Sequence, residues 1–251
     1  MFYKIAGVSL AAILFLAACG GTDDNNNIDF DATVVYKSAG SYDLRDYFAP
    51  SVNSINIYDH LLYINNDGRK SFSSDPDERS TYSEKYDING SKIIIRNGND
   101  TIEEIYDIQE DRLVVLDDQN TVQMQLPRYV DIDDYVYVDR ENDSSNNIPT
   151  VKQIACKVIN HYNSKEINAK TYDDVLEVLC ESQENGDSQG DIVSLTYEGE
   201  STETIFFAKG KGEVYSEEVG CDTLKSILNG QEQTQSTCTK EISDLISSNT
   251  L

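Results

Sequence analysis

Asn89-Gly90 stands between two runs that alternate with a period of two. Tyr82, Glu84, Tyr86 and Ile88 alternate with Ser83, Lys85 and Asp87 before it, and Lys92-Ile93-Ile94-Ile95-Arg96 follows it. Both central residues of a two-residue hairpin turn need positive φ, which Asn and Gly adopt most readily, so the pair predicts a tight antiparallel hairpin. Asn97-Gly98-Asn99-Asp100 turns the chain again into residues 101–107. Gln109-Glu110-Asp111 precedes residues 112–116, and Asp117-Asp118-Gln119-Asn120 precedes residues 121–126. In the last run Val122, Met124 and Leu126 share one face while Thr121, Gln123 and Gln125 share the other, the pattern of a half-solvated antiparallel strand. This spacing of turns predicts a meander of at least five strands.

The flanking regions extend the same reading. Residues 55–64 are apolar enough for a strand, with Asn65-Asn66-Asp67-Gly68 as a turn behind it. Asn, Asp and Ser dominate residues 140–147 and Pro149 follows, which predicts an internal boundary over 140–149. Beyond it, residues 152–162 and 171–180 read as strands of a hairpin centred near Asn168, and residues 191–198 and 203–209 as another. Asp222-Thr223-Leu224-Lys225-Ser226-Ile227-Leu228-Asn229-Gly230 carries helix punctuation, an Asp N-cap and a closing Gly, and residues 241–247 could add a helical turn. The expected fold is mainly β, antiparallel meander sheets forming a sandwich or a curved sheet, with a short C-terminal helix. The expected division is a signal peptide over 1–18, a lipidated Cys and tether over 19–32, an N-terminal β-meander over 33–139, a linker over 140–149 and a disulfide-containing β-rich region over 150–251.

The signal peptide follows from the apolar run Ile5 to Ala18 behind one positive charge, Lys4. A membrane-spanning helix needs about 20 apolar residues, so this shorter run with small residues at its end predicts a cleavable secretory signal. It closes on Leu16-Ala17-Ala18-Cys19-Gly20, which resembles the lipobox of bacterial lipoproteins. That resemblance implies a diacylglyceryl thioether (palmitate being a usual acyl chain) on Cys19, cleavage after Ala18 and acylation of the new amino terminus. One acyl chain anchors only marginally, so two or three make attachment lasting. Gly20 and Gly21 follow the Cys, and no Asp stands directly after it. By analogy with enterobacterial sorting, this favours the outer membrane, with the body facing the periplasm or the surface.

Composition limits the partners. Asp and Glu number 45 against 20 Lys and Arg, a formal net charge of −25, and removing residues 1–18 takes one more positive charge away. Such a body lacks the cationic surface that binds phosphate backbones, so a nucleic-acid partner is not expected. It would also be repelled by an anionic bilayer, leaving lipid as the membrane contact. Besides Cys19 the chain has Cys156, Cys180, Cys221 and Cys238, an even set that reads as two disulfides in an exported protein. Three pairings are possible. Cys156–Cys180 and Cys221–Cys238 are preferred, the first because the Asn168 hairpin sets its cysteines opposite each other, the second because it staples the expected helix.

Other candidates resolve into plainer readings. His60 and His161 could each act as a general base beside Asp residues, as in a periplasmic hydrolase, yet neither lies in a nucleophile motif. Asp131, Asp133 and Asp134 resemble half of a calcium site but lack the Gly and closing Glu of an EF-hand loop. Lys209-Gly210-Lys211-Gly212 lacks the spacing of a phosphate loop and reads as a tight turn. No catalytic, metal or cofactor residues are assigned.

Three short stretches, together with the lipobox, carry a wider resemblance: Asp43-Leu44-Arg45-Asp46-Tyr47-Phe48-Ala49-Pro50, Thr171-Tyr172-Asp173-Asp174-Val175-Leu176 and Phe207-Ala208-Lys209-Gly210-Lys211-Gly212-Glu213-Val214. The chain resembles a group of bacterial lipoproteins to which no activity is assigned. The resemblance implies a β-rich, envelope-anchored body and no mechanism. The expected function is a non-enzymatic binding, scaffolding or structural role at the cell envelope, with an envelope protein as possible partner. Calcium-dependent binding and a periplasmic hydrolase are the alternatives.

Overall fold

The computed structural model describes residues 28–145, 148–189, 193–228 and 231–251. The lipobox, Cys19 and the first part of the tether lie outside the described residues. The elements are β1 (Tyr42–Asp43), α1 (Arg45–Phe48), β2 (Ser54–Asn65), β3 (Glu78–Asn89), β4 (Lys92–Asn97), β5 (Ile102–Ile108), β6 (Arg112–Leu116) and β7 (Val122–Pro127). They continue with β8 (Tyr129–Val130), β9 (Tyr135–Ser145), β10 (Ile148–Ile167), β11 (Lys170–Gln189), β12 (Val193–Ala208), β13 (Gly212–Leu228) and β14 (Gln231–Thr250).

The fold is mainly antiparallel β. Twelve strands form one sheet in the order β7-β6-β5-β4-β3-β2-β14-β13-β12-β11-β10-β9. Two meanders, β2 to β7 and β9 to β14, are therefore sewn together where β14 pairs with β2, from Cys238↔Asn65 to Thr250↔Ser54. The edges β7 and β9 come into contact without forming a ladder, so the sheet curls into a nearly closed barrel. One apolar cluster joins both meanders across the interior, including Tyr86, Ile95, Leu113 and Leu126 from the first and Val158, Leu176, Val178 and Phe207 from the second.

The β3–β4 hairpin forms, but its turn lies on Gly90-Ser91 rather than Asn89-Gly90: Gly90 takes φ +61°, while Asn89 keeps the extended backbone of β3 and pairs with Lys92. Asn168 and Ala169, at φ +48° and +62°, make the tight turn of the β10–β11 hairpin, with Ile167 opposite Lys170.

Four expectations are corrected. The short C-terminal helix is absent: Asp222 to Leu228 continue β13, and residues 241–247 belong to β14. Pairing on both sides, β13 with β12 and with β14, satisfies its backbone groups as a ladder, and the Asp expected as an N-cap instead accepts a hydrogen bond from Tyr197 Oη at 2.6 Å. Residues 199–202, read as a turn, run straight through β12. Within 140–149, read as a linker, residues 140–145 and 148–149 pair with each other as the ends of β9 and β10. Residues 28–32, read as tether, already touch the body: Ile28 is buried and the Asp29 amide donates to Tyr135 Oη at 2.7 Å.

Candidate functional site

The three stretches that carry the resemblance meet at one end of the barrel, and they meet by specific contacts. The α1 segment inserts Leu44, Tyr47, Phe48 and Ala49 into the apolar cluster, with the Phe48 and Phe207 rings 4.8 Å apart. Gly210 and Gly212, at φ +71° and +84°, shape the β12–β13 turn against which α1 docks. The Gly210 amide donates to the Asp46 carbonyl at 2.6 Å, the Ser51 amide donates back to the Gly210 carbonyl at 3.0 Å, and Pro50 bridges to Lys211. The lysine-glycine run is a docking turn.

At the rim of this end the side chains form a small polar network around Asp174. Asp174 sits at φ +53°, in the left-handed region an L residue visits at a cost, and its carbonyl accepts from the Lys209 amide at 3.0 Å. Its Oδ1 accepts from Tyr47 Oη at 2.5 Å and lies 2.8 Å from His161 Nε2, while Lys209 Nζ lies 3.5 Å from its Oδ2. Burial alone would raise the Asp174 carboxyl, but the Tyr47 and His161 hydrogen bonds and the Lys209 ammonium outweigh it and hold the group below the usual carboxylate range. Burial and the Asp174 carboxylate push the Tyr47 hydroxyl well up, so it stays a donor. The His161 ring packs on Tyr42 with centroids 4.8 Å apart. The dyad orients a base, yet among the described residues no Ser, Thr or Cys side chain hydrogen-bonds to His161 or His60. His60 Nε2 faces Glu241 Oε2 at 3.3 Å on the β2–β14 seam.

The acidic segment before β9 is already neutralised from within the chain. Lys37 Nζ lies 2.5 Å from both Asp131 Oδ2 and Asp134 Oδ2, and Lys157 Nζ lies 2.8 Å from Asp133 Oδ1. The Lys37 hydrogen bond, with help from Ser41, holds the Asp131 carboxyl far below its ordinary range. The oxygens that calcium would require are thus spent on fastening residues 28–41 across the seam between β7 and β9. Tyr36 Oη donates to the Gln125 carbonyl at 3.3 Å, and Arg112 lies over the Tyr36 ring at 4.5 Å. Beneath this strap lies a cavity of about 520 Å³ lined by Val34, Tyr36, Val122, Met124, Tyr137 and neighbours.

The cysteines expected to form disulfides face each other across ladders. Cys156 pairs with Cys180 across β10 and β11 and Cys221 with Cys238 across β13 and β14, bonded in both cases with Cα atoms 4.0 and 3.8 Å apart. The second bond staples a hairpin, not a helix.

A different set of residues, which no sequence motif flagged, lines the barrel interior. The buried charged side chains there are Glu84, Glu104, Glu184, Glu203 and Asp222, with Lys152 as the one buried cation among the described residues. Glu203 faces Glu218 across β12 and β13, and Glu218 faces Glu241 across β13 and β14. Burial, then Glu218, raises the Glu203 carboxyl well above its ordinary value, and burial pushes Glu218 up to about 7. Tyr58, Tyr86 and Tyr106 are buried beside Glu84 and Glu104, Tyr86 donates to Glu84, and the Tyr58 and Tyr82 rings stack at 4.9 Å. The alternation of Glu203, Ser201 and Gly199 with Thr202 and Glu200 was the available signal, but nothing apolar marked its inward face.

No family model matches the chain, and no curated protein matches it. Among solved structures, one described as "a putative lipoprotein" from Parabacteroides distasonis ATCC 8503 superposes with a TM-score of 0.38 at 12% identity, covering 81% of this chain and 99% of that chain.

Proposed function

We propose that the protein is a lipoprotein of the bacterial cell envelope, anchored through acyl chains on Cys19, with a non-enzymatic binding or scaffolding role. The observation that carries this reading is the apolar run from Ile5 closing on Leu16-Ala17-Ala18-Cys19-Gly20. The body supports it in one respect. Its first described residue, Ile28, is already packed, so the chain from Cys19 can extend no more than roughly 30 Å. An acidic barrel held that close to a bilayer stays there through lipid, since its charge alone would repel an anionic surface. Outer-membrane residence and a protein partner in the envelope belong to the same proposal.

Cys19→Ser tests the anchor. The variant is expected to leave the membrane fraction and to lose metabolic acyl labelling, while a variant that stays fully membrane-bound would refute the reading. The His161–Asp174 dyad keeps the hydrolase as a second reading. If it held, replacing His60 and His161 together would reproduce a deletion phenotype; the non-enzymatic role predicts full complementation.

A further inference from the structure

We propose that residues 33–36 of the strap zip onto the free edge of β7 as an additional strand and close the seam cavity. The device does not depend on the anchor, so its test and the fractionation above can fail separately.

The strap carries the sequence of a strand. Thr33-Val34-Val35-Tyr36 is β-branched and aromatic throughout, the types enriched in strands. Its side chains already alternate: Val34 and Tyr36 line the cavity, while Val35 between them is 60% exposed. Yet the segment is not a strand. Among the described residues, none of 33–40 makes a backbone–backbone hydrogen bond.

It lies against an edge with the same deficit. β7 ends the twelve-stranded order, pairs only with β6 and meets β9 without a ladder. An unpaired edge presents a row of N–H and C=O groups to whatever chain lies beside it. The Gln125 carbonyl belongs to that row and accepts from Tyr36 Oη at 3.3 Å. A side-chain hydroxyl therefore holds a place that a main-chain amide takes in a ladder.

Both ends of the strap are fastened, and the middle is not. The Asp29 amide donates to Tyr135 Oη, and Lys37 is seated between Asp131 and Asp134. The Lys37 pairing matches charge to charge and keeps residues 33–36 within reach of β7. The space left between them is the cavity of about 520 Å³, within the range of small-molecule sites. Zipping drives Val34 and Tyr36 into that space and pairs backbone groups on both sides. The seam thus has an open state that holds the cavity and a closed state that fills it. Met124 reports which is present, since it stands in the cavity wall, is 6% exposed and is the one methionine after Met1.

Hydrogen exchange and peroxide oxidation of the detergent-purified full chain test the device. Residues 33–36 are expected to exchange several-fold slower than residues 70–75, a largely exposed segment equally without backbone–backbone bonds. Val35→Gly weakens a strand without altering the cavity wall. It should speed exchange at residues 33–36 and 123–125, and sulfoxide formation at Met124, several-fold. Val35→Thr keeps the branched side chain and should leave both rates unchanged. If Val35→Gly fails to fold, Val35→Asp, another residue depleted in strands, should move both rates the same way. Exchange at residues 33–36 as fast as at 70–75 overturns the proposal, and so do rates at β7 and Met124 that neither Val35→Gly nor Val35→Asp changes. Protection that grows with protein concentration also overturns it, by placing a second copy's strap on the edge.

Discussion

The two ends of the barrel interior are lined by the same strands and filled by opposite chemistry. Toward the β12–β13 turn, Phe207, Leu176 and Val158 meet the α1 plug, and the space is packed with apolar side chains. Further along β11, β12 and β13, the same inward parity presents Ser182, Glu184, Ser201, Glu203 and Asp222. One end holds the fold together by burial. The other buries polar and acidic side chains in place of apolar ones. Hydrogen bonds from Thr150 to Glu184 and from Tyr197 to Asp222 offset part of the desolvation cost there, so the two ends contribute to stability in opposite ways.

The contrast can be broken most severely at the apolar end. Phe207→Ala empties a fully buried site against Phe48 and is expected to destabilise by about 3–5 kcal/mol, read by chemical denaturation. A loss under about 1 kcal/mol would mean that α1 is not a plug. Next in size, replacing both Cys156 and Cys180 by Ala should cost about 3 kcal/mol from the freed denatured chain, with added loss because Cys156 belongs to the apolar cluster. The Cys221–Cys238 pair closes a shorter span, 17 residues against 24, and lies outside that cluster, so its removal should cost less.

At the polar end the sign reverses. Glu218 has an ordinary value of 4.5 and a folded value of about 7, so the folded state holds its proton more tightly. Its contribution is present below pH 4.5 and is lost as pH rises from there through about 7. Melting temperature should fall over that window, and Glu218→Gln should flatten the decline and raise the melting temperature at pH 8 by about 2–4 °C. An unchanged slope would show that Glu218 does not titrate inside the fold. The smallest effect is expected at the strap, where Lys37→Ala removes partly exposed ion pairs worth about 1 kcal/mol or less, visible as faster hydrogen exchange over residues 28–41.

The same contrast explains what could be read from the chain. Strands β3 to β7 were legible because Asn89-Gly90 and its successors fix turns and because Met124 and Leu126 bury an apolar face. The Cys156–Cys180 pairing was legible because the Asn168 turn sets the register. Sequence patterns assume an apolar inside, and that assumption fails in β12 and β13. Gly199-Glu200-Ser201-Thr202 looked like a turn, and Asp222 with Leu224, Ile227 and Leu228 looked like a capped helix. With a polar lumen, a strand shows no hydrophobic period to find. The network around Asp174 was hidden for another reason: Tyr47, His161, Asp174 and Lys209 come from four separate stretches, three brought together by the pairing of β10, β11 and β12 and the fourth by the docking of α1.

The anchor reading is tested most directly by mass spectrometry of the amino-terminal peptide from protein purified out of membranes. The expected peptide begins at Cys19 and carries diacylglyceryl on its sulfur. A free Cys19 thiol, or a peptide that still contains residues 1–18, would contradict it.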